Sequence, residues 1–223
     1  MALPSLILIA ANLVPIVGVV YWGWDAFVLL MLYWSETAVI AFWTIIRVAT
    51  EPAANGVHAA VGVIAGLALA AFFTVHAGIF MTVHFVFLWS LFAGAWRAQI
   101  HGVDGFIRIM IFGTGLWLPL LILFLVRGRT VLWPLIGPRL GFAPASPEPA
   151  DPGRGYISGL YVRIVIMQVT IIAGAWFALT LAPGSIAPLI LLILIKTGID
   201  LALGPVAERL RLAKATVQPG AGD

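Results

Sequence analysis

His76 and His84 stand eight residues apart in one apolar stretch, and Glu36 stands near the middle of another, with no further charge between Asp25 and Arg47. Imidazole titrates near neutrality and also ligates metals, so histidine with a carboxylate is what a Zn, Mn or Fe site or a proton relay needs. A carboxyl at the centre of a membrane-crossing segment costs roughly 2.5 to 3.5 kcal/mol on insertion scales unless it is paired, protonated or bound. Glu36 therefore requires a partner. Lys196 precedes Asp200 by four residues, which puts both on one helix face. The candidate polar centre is thus Glu36, His76, His84, Lys196 and Asp200, with Glu36, His76, His84 and Asp200 as the potential ligands of a divalent metal.

The spacing of the histidines limits the chemistry. On a regular helix they lie about 12 Å apart along the axis and about 80° apart around it, so one ion does not easily take both. The pattern is not the i, i+4 pair of zincins, and two residues of one straight helix do not clamp a haem. Gly78, between them, permits a break. Asn12, Thr37, Thr82 and Gln168 add neutral hydrogen-bonding groups at nearby depths, Asn12 and Gln168 in supporting roles.

The elements that carry these residues are set by composition. The 223-residue chain is 62% hydrophobic and 9% charged, with a mean hydropathy of +1.10. That is the profile of an integral membrane protein, whose first partner is the lipid bilayer. Apolar stretches of about 20 residues, the length that crosses a hydrocarbon core, predict an all-α polytopic bundle of six spans at about 3–21, 24–46, 63–92, 106–126, 156–181 and 185–203. Gly62 and Gly66 have small-xxx-small spacing at the start of the third. Gly113, Gly115 and Pro119 are able to interrupt the fourth. The first span lacks a basic n-region and a cleavage site, and reads as retained. Residues 127–155 are rich in proline and read as a flexible loop, and 204–223 as a tail.

Orientation follows from Lys and Arg. With six spans, one side of the membrane receives Arg47, Arg127, Arg129, Arg139, Arg154, Arg209, Arg211 and Lys214, and the other only Arg97 and Arg108. The positive-inside bias makes both termini cytoplasmic. Trp22, Trp24, Trp89, Trp96 and Trp133 fall near span ends and read as interfacial anchors. Without cysteine, disulfides, thiolate metal sites and cysteine nucleophiles are excluded. The scattered basic residues form no patch for nucleic acid.

Removing the loop charges leaves Glu36, Arg163, Lys196 and Asp200 inside the membrane, two of each sign. Counted from their span centres, Arg163 and Asp200 both lie roughly 8 to 9 Å toward the cytoplasm, and form the natural pair. Each residue also has an architectural explanation. A buried ion pair can simply hold the last hairpin, and the histidines can be satisfied core residues among Phe72, Phe73, Phe80, Phe85 and Phe87.

The segments Leu32 to Glu36 (LYWSE), Phe72 to Phe87 (FFTVHAGIFMTVHFVF), Tyr161 to Val165 (YVRIV) and Lys196 to Asp200 (KTGID) resemble the bacterial DUF6498 family of uncharacterised membrane proteins. Asn12, Pro15, Gly18, Gly23 and Trp24 are similar too. The resemblance implies a multi-pass protein of the cell inner membrane in which Glu36, His76, His84, Arg163, Lys196 and Asp200 belong to one constellation. It implies no activity.

No G-x-S-x-G elbow, P-loop, dinucleotide fingerprint or H-E-x-x-H is present. Two readings remain. One is a membrane-embedded polar centre that binds a divalent metal or moves protons. The other is a non-catalytic scaffold or accessory subunit whose outer faces bind other membrane proteins or a second copy. The topology is testable first: reporter fusions after Arg47 and Arg211 are expected to be cytoplasmic and one after Arg97 external. Fusions at 47 and 97 on the same side would refute six spans.

Overall fold

A computed structural model describes residues 14–54, 59–137 and 140, and in part residues 161–198. Among them every element is helical. Residues 14–21 end α1; α2 is Ala26–Ala54, α3 Ala59–Phe92, α4 Trp96–Gln99 and α5 Gly102–Gly105. A π-helical stretch, Phe106–Gly113, leads through a break into α6, Trp117–Ile136. Helices α2 and α3 are long and apolar enough to cross a membrane. The pair Gly102–Gly113 and Trp117–Trp133 adds a third crossing only if counted as one span, and it is bent by 91°. The predicted spans at 156–181 and 185–203 lie largely outside the described residues, as does most of the first.

The bundle is organised at the corner between α1 and α2. The amides of Trp22 and Trp24 both donate to the Gly18 carbonyl, at 3.1 and 3.0 Å, closing α1. Gly23 then takes a φ of +66°, where a side chain would be strained. Asp25 caps α2: its Oδ1 accepts the Val28 amide at 2.9 Å, the bond an N-cap carboxylate makes at the third helical position. Its Oδ2 accepts the Trp96 indole N–H at 2.7 Å.

Trp24 is a different residue from the interfacial anchor predicted for it. Only 3% of its surface is exposed, and its indole lies flat against Gly18, where a Cβ would fall 2.1 Å from the ring. Its Nε1 donates to the Thr114 carbonyl at 2.9 Å. That carbonyl is freed by the break before α6, where Gly115 has a φ of +81°. An interrupted helix leaves that carbonyl without its intrahelical donor, and the indole takes the place. Trp22 and Trp133 remain exposed, as anchors would be.

Helices α2 and α3 run antiparallel, in contact from Phe27 with Trp89 to Trp34 with Phe85. The Trp34 indole donates to the Met81 carbonyl at 2.9 Å and fixes their register. The buried stripe of α3 is Gly62, Gly66, Ala70, Phe73, Ala77, Met81, His84 and Leu88. These steps of four, four and three repeat every eleven residues, close to the natural period of a straight helix. The glycines predicted for close packing are in that stripe. At the far end of α3, Arg97 donates to the Trp89 and Ser90 carbonyls at 2.8 and 2.5 Å and so satisfies the helix terminus.

Helix α6 meets α2 where Gly128 faces Trp43: a Cβ there would lie 2.6 Å from the ring. Phe124 packs on Phe42 and Trp43 beside it. Several boundaries differ from the sequence prediction, among them the start of α3, at Ala59 and not at 63. The fourth span is broken rather than continuous. Helix α6 runs ten residues past Val126 into the stretch predicted as loop; Pro119 lies in its first turn, where proline is tolerated, and no further proline occurs before Pro134, in its last. Helix α2 continues to Ala54, so Arg47 is a helical residue and not a loop charge; it is 4% exposed.

Gly18→Ala is expected to overpack Trp24 and cost about 1 to 3 kcal/mol. Gly78→Ala, with nothing within 4 Å of its added Cβ, is expected to be neutral or to stabilise by up to about 1 kcal/mol. Thermal denaturation in detergent distinguishes the two, and equal melting points would refute the Trp24 contact.

Candidate functional site

His84 is 4% exposed and belongs to the buried stripe of α3. Its ring lies on that of Phe80, centroids 3.9 Å apart. Its Nδ1 is 2.8 Å from the Phe80 carbonyl oxygen, one turn back along the helix. A carbonyl only accepts, so Nδ1 carries a hydrogen. Nε2 meets the side-chain amide of Gln168. With the amide oxygen toward it, the ring donates from both nitrogens and is an imidazolium. With the amide turned by half a rotation, its N–H donates to the lone pair of the neutral ring. The amide thus has both an acceptor and a donor to present to Nε2.

His76 stands on the exposed side of α3, stacked on Phe72 with ring centroids 5.7 Å apart, and 6.0 Å from the Tyr161 ring. Between α3 and the helical positions from Tyr161 onward lies a cleft of about 360 Å³. Its lining includes His76, Phe80, Tyr161, Ile164 and Gln168. The two histidines therefore flank one feature without converging: His76 lines the cleft, and His84 lies behind Phe80 and Gln168. Gly78 makes no break between them, since α3 is continuous.

Glu36 is placed apart. Trp34, two residues before it, faces α3; two residues turn a helix by about 200°, so Glu36 lies on the opposite side of α2. Trp43, seven residues on and therefore on the same side as Glu36, is the residue that meets α6. In height Glu36 falls between the levels of His76 and His84, as the Trp34–Met81 bond requires. Its carboxyl is half-buried and engaged in a hydrogen bond or electrostatic contact. Arg47 shares this side of α2 three turns away and is likewise engaged.

Thr37 and Thr82 donate to the carbonyls of Tyr33 and Gly78 at 2.9 and 2.8 Å. Their hydroxyl hydrogens are thus taken by their own helices. Asn12, Arg163, Lys196 and Asp200 lie outside the described residues. Among the described residues no three of His, Asp and Glu form a group able to hold a metal ion.

Two participants were not among the predicted site residues. Tyr161 was legible only as the start of a motif, because nothing in its spacing points to His76. Arg47 had a readable signal: no glycine or proline separates it from the apolar run before Pro52, so the helix had no reason to stop at Ile46.

The sequence model of a family of unknown function, DUF6498, matches residues 2–217. The chain belongs to the DUF6498 family. No curated protein and no solved structure matches this DUF6498 chain significantly.

The His84–Gln168 contact is open to a double-variant cycle. His84→Phe or Gln168→Leu alone leaves a buried polar group unsatisfied and is expected to cost about 1 to 3 kcal/mol. The double variant is expected to recover much of that loss, a coupling of about 0.5 to 3 kcal/mol. Additive losses would show that the two side chains do not meet.

Proposed function

We propose that this DUF6498 protein is a multi-pass membrane protein, six-spanning with cytoplasmic termini in the cell inner membrane, that handles protons at membrane depth through His84. The observation that carries this reading is the pair of partners around the imidazole. The Phe80 carbonyl holds a hydrogen on Nδ1, which leaves Nε2 as the ring nitrogen that faces Gln168. The Gln168 amide offers Nε2 an acceptor at one end and a donor at the other.

Glu36 is the second ionisable station, at a similar height on the opposite side of α2. Lys196 and Asp200, with Arg163 supporting, complete the centre in this proposal. A divalent metal is the weaker version, since the described His and Glu residues do not converge. The scaffold reading draws on a separate observation. The outward face of α3, including Val61, Ile64, Val75, Ile79, Val83 and Val86, is exposed and apolar, as contact with lipid, another membrane protein or a second copy requires.

Proteoliposomes carrying a pH-sensitive dye test the proposal. Under an imposed potential the native protein is expected to conduct protons, and His84→Phe to abolish the flux. Glu36→Gln keeps size and hydrogen bonding but removes ionisation, so it is expected to lower flux while the melting temperature holds. Flux unchanged in both variants, or absent from the native protein, would overturn proton handling. Stoichiometric Zn, Mn or Fe in the same sample would move the reading to the metal.

A further inference from the structure

We infer that Gly102–Gly113, made of α5 and the π-helical stretch, binds the bilayer surface as an interfacial helix, and that α6 alone makes the crossing beside it. Two contacts fix the direction of α6. Thr114, three residues before it, meets Trp24 at the start of α2, and Gly128 meets Trp43, which lies about 26 Å along α2 from Ala26. The chain from Thr114 to Gly128 supplies about 21 Å of helix, so α6 has to run along α2, a helix of span length. The 91° bend then sets Gly102–Gly113 across the end of the bundle. Its depth is that of an interface. Phe106 packs on Phe85, ring centroids 5.6 Å apart, at a level about 10 Å inside the end of α3 at Phe92. Interfacial helices bury their apolar face roughly 5 to 10 Å into the boundary between head groups and chains.

The exposure pattern selects the same surroundings. In a π-helix the hydrogen bonds reach the fifth residue on, so residues five apart share a side. Gly105 and Met110 are buried, Phe106 and Ile111 half-buried, and Ile107 and Phe112 exposed by 45% and 59%. Arg108 comes next around the helix; its guanidinium donates to Asp104, and their side chains are 73% and 84% exposed. Water alone would leave Ile107 and Phe112 bare, and hydrocarbon alone would strip the solvent from the ion pair. The bilayer boundary supplies both, on adjacent sides. The apolar side is also continuous with its neighbours, since Phe87 and Leu91 near the end of α3 and Trp117 and Leu118 at the start of α6 are exposed. Asp104 and Arg108 cancel in charge, so a zwitterionic lipid is sufficient.

The test uses the full chain in phosphatidylcholine vesicles. Because the chain has no cysteine, Val103→Cys, Asp104→Cys, Ile107→Cys, Arg108→Cys and Phe112→Cys can each carry a single nitroxide. All five side chains are exposed, so the labels leave the buried side intact. Power saturation with oxygen and with a water-soluble nickel chelate gives the depth of each label, and Val75→Cys on the outward face of α3 supplies the hydrocarbon reference. The labels at 103, 107 and 112 are expected to lie within one helical turn of each other in depth, about 5 Å, shallower than the reference and favouring oxygen. Those at 104 and 108 are expected to favour nickel. A segment that crossed the membrane would spread 103 to 112 over roughly 13 Å, and such a gradient overturns the placement. Nickel access at 107 and 112 equal to that at 104 overturns it too, by putting the segment in water. Loss of access to both reagents at 107 and 112 does the same, by putting a partner protein or a second copy over the face. The measurement needs no proton flux, so its outcome is separate from that of the proton reading.

Discussion

The corner formed by Trp24 and Asp25 is the constraint on which the described bundle depends. One carboxylate caps α2 and holds the segment after α3, and one indole seals α1 and completes the interrupted path into α6. Four parts of the chain are tied within two residues. In water such bonds compete with solvent and contribute about 1 kcal/mol each. A buried group left without its partner costs more, about 1 to 3 kcal/mol. The break before α6 is tolerable because the corner supplies a donor for it.

Helix α2 runs beside this corner as the central element. Phe27 to Tyr33 are buried all round, and farther along one side turns to α3 and the other to α6. That arrangement separates the polar groups. The histidines lie on α3, with the Tyr161 segment beside them, while Glu36 and Arg47 belong to the other side of α2. Proximity in height and proximity in space are different quantities in a bundle, and α2 accounts for the difference.

The helical class and the main helices were legible because an apolar run of sufficient length has few other ways to satisfy its backbone. The role of Gln168 was legible in part, since neutral hydrogen-bonding groups at that depth are few. The face of α3 was not. Its outer side is as hydrophobic as its buried side, so periodicity in hydropathy is absent, and only the sizes at Gly62, Gly66, Ala70 and Ala77 betray the contact. Trp24 was misread because a tryptophan at a span end looks the same whether it meets the interface or a broken helix. The 91° bend was hinted at by Gly113 and Gly115, but the indole that makes it affordable lies ninety residues away.

Helix α3 contains 34 residues, a cylinder about 51 Å long, whereas a typical hydrocarbon core is about 30 Å thick. Arg97 and Trp89 mark one end as interfacial, so the surplus falls toward Ala59. The buried side chains there are small, glycine at 62 and 66 and alanine at 70. Leaning absorbs hydrophobic mismatch at a cost of fractions of a kcal/mol per Å. A helix of this length is one whose fit depends on bilayer thickness, and it is the helix that bears both histidines.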